Sequence, residues 1–471
     1  MSHTIYLTPA TPWRRLTATL VLALSLTAPA AAEAKPWRLH DALAAPAWLK
    51  IGGSYRVRYE TLNHPFRAGA VGSNQILVER LVFAVRADLD AFYTGFELRD
   101  SRAQLENAGT PLGTDDVNTA EPVRAYIGIE RSDVFATGDR IDLAGGRMIL
   151  NFGAGRLVAI HNFRNTVNGF TGIRALWEGA GGKRVQTFYT LVVDRRPNTR
   201  SRLEHNDIQI DRENPEARFW GVYLTDQNIF GWLRGEAYVF GLHENDHSDF
   251  PTANRHLLTP GLRFFAKPAQ GAWDFEIEAA VQVGKSRSTA SPANTADLDH
   301  RAGFIHAQVA RTLDSPWSPR FVLEYDYASG DEDPNDGENN RFDSLFGAIR
   351  SDFGPTGIYG ALTRANISSP GARIQVKPRP ILDAFVGYRA VWLASDRDAL
   401  PSAGVQDPTG RSGSFVGHQV EARVRADILP GNLRLELGGA YLFDGEFLKD
   451  APNAPHNGNT AYLYSQAILS F

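Results

Sequence analysis

Along most of this chain apolar and polar residues alternate one by one. Near the C-terminal end, Val420, Ala422, Val424, Ala426 and Ile428 alternate with Gln419, Glu421, Arg423, Arg425 and Asp427. After Pro430-Gly431-Asn432, Leu433, Leu435 and Leu437 alternate with Arg434 and Glu436. A period of two is the mark of a strand, and the Pro-Gly-Asn between the runs reads as a tight turn. The same pattern, punctuated by Gly, Pro, Asn and Asp clusters, predicts about eighteen strands. They are Lys50–Glu60, Ile76–Leu89, Phe92–Ser101, Val123–Glu130, Arg140–Arg147, Thr171–Glu178, Arg184–Asp194, Arg218–Thr225 and Gly231–Leu242, then Arg255–Phe265, Trp273–Gly284, Arg301–Thr312, Arg320–Ala328, Ile367–Lys377, Leu382–Ala394, His418–Ile428, Leu433–Phe443 and Ala461–Phe471.

The connections alternate short and long. Short turns fall near Ala91 and at Glu178–Lys183, Asp226–Phe230, Lys267–Gly271, Pro378–Pro380 and Pro430–Asn432; long ones span Ala103–Glu121, Met148–Asn168, Arg195–Ala217, Ser329–Asn366 and Ser395–Gly417. A soluble sandwich has no reason to keep that rhythm. A transmembrane barrel does, with short periplasmic turns, long extracellular loops and an even strand number. The expected fold is therefore all-β: one transmembrane up-and-down antiparallel barrel. Its greasy faces meet lipid and its charged faces line a lumen. Arg56/Arg58, Glu97/Arg99, Arg234/Glu236, Asp274/Glu276/Glu278, Glu324/Asp326 and Arg423/Arg425 all lie opposite the apolar face. The alternation is imperfect at Val78, Arg80, Val82 and Ala84. The last strand closes on Phe471, with Leu469, Ala467 and Leu463 on its face and Ser465 as a polar exception.

The N-terminus supplies the route. Arg14 and Arg15 precede the apolar run Leu16–Ala28, then Pro29 and Ala30-Ala31-Ala32, which reads as a secretory signal peptide. Cleavage is expected after Ala32, with Ala34 as second choice. No later stretch has the roughly 18 uninterrupted apolar residues of a spanning helix. The expected division is 1–32 signal peptide, 33–48 periplasmic segment and 49–471 outer-membrane barrel. The location implied is the outer membrane of a Gram-negative bacterium. Partners are then membrane lipid, lipopolysaccharide and the barrel-insertion machinery, and the barrel is expected to act as a monomer. Formal charge is 49 − 53 = −4 over 471 residues, which argues against a nucleic-acid binder. The absence of Cys excludes disulfides and Cys-based zinc sites. The chain lacks a Gly-x-Ser-x-Gly elbow, a His-Glu-x-x-His helix and a phosphate loop, so no enzyme chemistry is expected. A barrel enzyme or adhesin using the outer loops stays as a minor alternative.

Parity places Arg56, Arg58, Arg99, Arg124, Arg174, Arg373, Arg389, Arg423, Arg425 and Arg434 in the lumen. Guanidinium is always charged, forks onto carboxylates and is weakly hydrated, and rings of Arg or Lys select anions. The competing role is bracing, with each Arg paired to a lumenal acid such as Glu97, Glu130, Glu421 or Glu436. In the Met148–Asn168 loop, Arg156, His161 and Arg164 are candidates for a constriction, against the plainer role of sealing the rim. Asp331, Asp333 and Asp336 sit in a dense acidic loop. A Ca²⁺ clamp is one reading and a solvated turn the other, because Gly337 falls one place late for an EF-hand.

The segment Gly145–Gly179 resembles that of the alginate-export outer-membrane porin family. The matching residues are Gly146-Arg147, Gly153 with Arg156-Leu157, Arg164-Asn165 and Phe170-Thr171-Gly172, while Met148 and Thr171 stand where that family favours Gln and Asp. The segments 97–102 and 330–337, the latter followed by Arg341-Phe342, are also similar. The resemblance implies a passive channel for an anionic polysaccharide such as alginate, or related anionic solutes, and adds Arg147 to the lumen. A general small-solute porin is the alternative.

Overall fold

The computed structural model describes residues 35–247 and 249–471, so the signal peptide expected at 1–32 lies outside the described residues. The barrel unit runs Trp37–Phe471. Its strands are β1 (Leu49–Asn63), β2 (Ser73–Leu89), β3 (Phe92–Gln104), β4 (Asn118–Ser132), β5 (Arg140–Met148), β6 (Gly169–Glu178), β7 (Lys183–Asp194), β8 (Arg212–Ile229), β9 (Leu233–Glu244) and β10 (His256–Phe265). They continue with β11 (Trp273–Ser286), β12 (Leu298–Thr312), β13 (Arg320–Ala328), β14 (Glu338–Asn339), β15 (Ile367–Arg379), β16 (Leu382–Trp392), β17 (Phe415–Leu429), β18 (Leu433–Asp444) and β19 (Thr460–Ser470). Among the described residues, four short helices lie in the segments before and between the strands: α1 (Leu39–Ala42), α2 (Arg200–Glu204), α3 (Arg350–Phe353) and α4 (Glu446–Asp450).

β14 is a two-residue bridge beside β12. The other eighteen strands pair antiparallel in chain order, and β19 returns to β1 with Tyr55 opposite Leu469 and Arg58 opposite Gln466. Every expected strand is present. Phe471 completes the seam: its N–H donates to the Gly53 carbonyl at 3.0 Å and its carbonyl accepts from the Gly53 N–H at 2.9 Å. Closure removes the free edges that an open sheet would expose. No helix among the described residues is long and apolar enough to cross a membrane.

The hairpin of β17 and β18 settles which way the faces point. Val420, Ile428, Leu435 and Leu437 are 36, 50, 42 and 48 % exposed, whereas Gln419, Glu421 and Glu436 are 3, 7 and 9 % exposed. Charges point in and aliphatic side chains point out, the reverse of a soluble sheet. On the inner face Gly128 makes room for the Tyr93 ring, since a Cβ there would lie 2.2 Å from it.

That inversion is not uniform along the barrel. Toward the loop end the inward positions turn apolar: Leu62 on β1, Ile76 and Val78 on β2, Phe219 on β8, Leu242 on β9, Val391 on β16 and Leu442 on β18 are buried in one core cluster. This accounts for the broken alternation near Val78. Ile76 and Val78 face inward together with Arg80, because that stretch packs against protein inside the barrel and not against water.

Strands also run further than alternation suggested. β8 begins at Arg212, not near Arg218, with a register shift between Leu191 and Val192 of its partner. The added residues Arg212, Glu213 and Asn214 carry no apolar face, so periodicity could not find them. On the turn side, the chain before β1 is tied down by Asn432, which accepts from the Trp37 N–H and donates to the Trp37 carbonyl.

Candidate functional site

Two long connections fold back into the barrel. The loop 149–168, between β5 and β6, and the connection 329–366, between β13 and β15, are joined main chain to main chain. Ala159 donates to Phe346 at 3.2 Å, Phe346 to Leu157 at 2.9 Å and Ala348 to Gly155 at 2.8 Å. Gly347 permits this approach, since a Cβ there would sit 1.8 Å from the Arg156 carbonyl. The two connections form one internal plug.

One side of the plug is held by rings and ions. Phe152 stacks on Phe188 and Tyr223 at 5.2 Å each, and Phe346 meets Phe170 and Phe219 edge-on. Such ring pairs are worth about 0.5–1.5 kcal/mol each beyond the area they bury. Arg156 reaches Glu276 and Glu278 on β11 as well as Asp352 on α3. Arg364 also holds Asp352, and donates to the Arg156 carbonyl at 2.7 Å. Arg350 joins the plug to Glu421 and to the Tyr464 hydroxyl.

The opposite side is held by arginines of the wall. Arg56 donates to the carbonyls of Asn162 at 2.7 Å, Phe163 at 3.1 Å and Arg164 at 3.0 Å. Arg58 donates to the Phe163 carbonyl, lies over the Phe163 ring and pairs with Glu60 at 2.7 Å. Arg80 donates to the Arg164 carbonyl at 3.0 Å. Arg164 of the loop pairs at 2.7 Å with Asp115 in the connection between β3 and β4, which also holds Arg195 at 2.6 Å. His161 lies 3.2 Å from the Phe346 carbonyl. Burial, aided by the neighbouring Arg164 charge, pushes its imidazole down to about 4, so it is neutral at neutral pH.

The remaining lumen candidates all have carboxylate partners. Arg99 and Arg124 share Glu97, at 2.8 and 2.9 Å; Arg423 and Arg425 share Asp383, both at 2.8 Å. Arg373 and Arg389 share Glu324, and Arg389 also takes Asp326. Arg147 bridges Glu121 and Glu213, Arg174 pairs with Asp142, and Arg434 with Asp427. The side chains of Arg124, Arg174, Arg423, Arg425 and Arg434 keep 32, 29, 21, 32 and 42 % exposure. They can therefore meet a solute, whereas Arg56, Arg58, Arg99 and Arg389 are buried. Glu421 and Glu436 do not brace the neighbouring arginines; they serve Arg350 and Tyr464.

Arg56 and Arg80 stand opposite each other across β1 and β2. Among the described residues neither makes an ion pair, and Arg58 and Arg99 are close enough to repel both. Sequence reasoning missed Arg80, whose neighbours blurred the parity, and Arg350 and Arg364, which sit in a connection without periodicity. Arg263 was within reach: it lies opposite Glu236 on β9 and Glu278 on β11.

The acidic loop does not assemble a clamp from Asp331, Asp333 and Asp336. Asp333 accepts from the Asn335 N–H and Asp336 from the Glu338 N–H, each closing its own short turn, while the Asp331 N–H donates to Asp398. Among the described residues, the one set of three ligand-type side chains gathered within 4.8 Å is His306, Asp326 and Asp352. His306 Nδ1 lies 2.7 Å from Asp326. Arg389, Arg156 and Arg364 already hold these two carboxylates, so a divalent ion there would meet three guanidiniums, and the set does not suit one.

Beyond the plug, on the loop side, lies a cavity of about 1090 Å³ lined by Arg67, Arg164, Arg195, Arg200, Asp115 and Asp116 among others, and a second of about 600 Å³; Ser344 and Thr363 line both. Burial, with the nearby Asp115 and Glu60 charges, pushes the Asp116 carboxyl up to about 7.

Solved outer-membrane barrels share this architecture. A BenF-like porin from Pseudomonas fluorescens Pf-5 is 12 % identical, with a TM-score of 0.58, over 90 % of this chain and 99 % of that one. The outer membrane protein OpdK of Pseudomonas aeruginosa is 12 % identical with a TM-score of 0.54 over the same shares, and its structure with vanillate is 13 % identical at 0.53. At such identity the likeness speaks for the fold. No curated protein matches. The sequence profile of the alginate-export family matches residues 47–461, nearly the whole barrel: this outer-membrane channel belongs to the alginate-export family.

Proposed function

We propose that the barrel passes anionic polysaccharide such as alginate, or related anionic solutes, by passive diffusion along its inward-facing arginines. The observation that carries this reading is the surplus of guanidinium at mid-barrel. Arg56, Arg58, Arg80 and Arg99 crowd together, while the carboxylates beside them are Glu60, held by Arg58, and Glu97, shared by Arg99 and Arg124. Desolvated like charges are expensive, and an excess of fixed cations draws anions. Exposed pairs that give two guanidiniums to one carboxylate, as at Asp383, leave a guanidinium free to turn toward passing carboxylates without a deep trap. This suits a polymer with a charge on every sugar. The proposed path includes Arg124, Arg147, Arg174, Arg373, Arg423, Arg425 and Arg434, with Arg156, His161 and Arg164 in the constricting loop, while the buried Arg56, Arg58, Arg99 and Arg389 act through their field.

The plug favours a second reading, in which cargo is a small carboxylate; OpdK, of similar fold, has been solved with vanillate. Planar-bilayer recording separates the two. If polymer is the cargo, uronate oligomers block the chloride current at far lower concentration than a monomeric uronate or an aromatic acid. Equal potency would favour small anions, and no block by any of them would remove both readings.

A further inference from the structure

Asn165 is buried with no measurable exposure, yet it lies in the loop between β5 and β6. Six hydrogen-bond contacts meet on it, three of them shared between the two N–H groups of its amide. Its Oδ1 accepts from Arg56 Nη2 at 2.9 Å. Its Nδ2 lies within donating distance of the Glu79 carbonyl on β2 at 2.9 Å, the Arg102 carbonyl on β3 at 3.1 Å and the Asp116 carbonyl at 2.8 Å. Its N–H donates to the Asp115 carbonyl at 3.1 Å, and its carbonyl accepts from Ser101 Oγ at 2.7 Å. Among the described residues, no other joins the plug to β1, β2, β3 and the 105–117 loop at once.

Resting on the anion-path reading, we infer that Asn165 is a specificity-determining pivot. It fixes the plug in place while leaving the Arg56 charge uncompensated. The chemistry requires an amide at this position. The amide nitrogen faces three carbonyls, which an aspartate could only repel. The amide oxygen satisfies Arg56 without a negative charge, so Arg56 and the facing Arg80 keep their full positive field. A carboxylate would bond Arg56 more strongly and cancel that field. The wall arginines Arg56 and Arg80 thus grip the plug through neutral acceptors, namely Asn165 Oδ1 and the carbonyls of Asn162, Phe163 and Arg164, where acidic partners would have held it at the expense of the lumen's charge.

Two variants divide the two duties. Asn165→Ala removes the anchor and should raise single-channel conductance roughly twofold or more, with noisier openings, because a loosened loop widens the pore. Asn165→Asp adds a charge and should shift the reversal potential under a salt gradient toward cation permeation, by more than Asn165→Ala does. A merely structural residue would change stability and leave that ordering absent. Because the chain has no cysteine, Val167→Cys gives one label site beside the pivot. In the otherwise unchanged barrel it should react slowly with a maleimide, and about tenfold faster or more when Asn165→Ala frees the segment. Fast labelling of Val167→Cys in the unchanged barrel, or both Asn165 variants matching the unaltered channel in conductance and selectivity, overturns the inference. A cation-preferring unaltered channel would instead overturn the anion-path reading, and the labelling would still judge the anchor.

Discussion

The two ends of this barrel solve opposite problems with one wall. In the turn-side half the inner face is charged and partly wet, with Arg174, Arg423, Arg425 and Arg434 in exposed pairs. In the loop-side half the same inner face carries Leu62, Ile76, Phe219, Leu242 and Leu442, buried against two inward connections. The first is an aqueous lumen and the second is the core of a small globular protein held inside a cylinder. Function and rigidity are therefore separated along the axis. Arginines near the turns keep solvent exposure; at mid-barrel Arg56, Arg58 and Arg80 fasten the plug, and Arg56 and Arg80 do so without an acidic partner among the described residues.

Changes on either side should behave differently. The largest effect is expected from Arg156→Ala. It takes the closest cation from buried Glu278 and one of two guanidiniums from Glu276, kept by Arg263, and from Asp352, kept by Arg364, at a cost of about 3–5 kcal/mol for a broken buried pair. Hydrogen exchange across 150–160 should quicken sharply while the wall strands stay protected; unchanged exchange would mean the rings alone hold the plug. Next comes Leu437→Arg on the outer face, expected to cost about 2–4 kcal/mol near the bilayer midplane, read by denaturant unfolding in lipid vesicles. A neutral result would put that face out of lipid. Smaller in stability is the turn-side triple Arg174→Ala, Arg423→Ala and Arg434→Ala. Exposed pairs contribute only about 0–1 kcal/mol each, so the barrel should melt almost as before while its anion preference falls. If melting drops and selectivity holds, these side chains are braces.

The smallest effect is a pH dependence at the loop-side cavity. Asp116 has its folded-state value raised above the ordinary carboxylate range, to about 7. It binds more protons folded than unfolded between those values, so its contribution to stability falls as pH rises toward 7 and is lost above it. In the folded barrel its charge appears around pH 7. Anion preference should therefore be higher at pH 6 than at pH 8, measured as reversal potential, and Asp116→Asn should remove the difference.

Fold and orientation were legible in the sequence because lipid imposes a strict period of two. Val420 to Ile428 could be read outward, and Glu421 to Asp427 inward, from alternation alone. Legibility fails where the environment changes along a strand. Ile76, Val78 and Arg80 share one inner face, and no periodicity tells a lumen from a plugged core. Arg147 came from a likeness in the segment 145–179, and Arg156 and Arg164 from the length and basic character of the Met148–Asn168 loop. Arg350 and Arg364 carry no pattern and acquire their roles only when the 329–366 connection folds back onto the wall. The acidic loop misled in the opposite way: close spacing of Asp331, Asp333 and Asp336 suggested one ion, but each serves a separate hydrogen bond or turn.

The sign of the charge that the channel admits decides whether its guanidinium surplus governs permeation. Purified barrel inserted in a planar bilayer under a KCl gradient gives a reversal potential directly. The mid-barrel guanidinium surplus predicts a potential of the sign set by chloride, weakened when Arg56 and Arg80 are both replaced by Met. A potential of the sign set by potassium in the unaltered channel would contradict it.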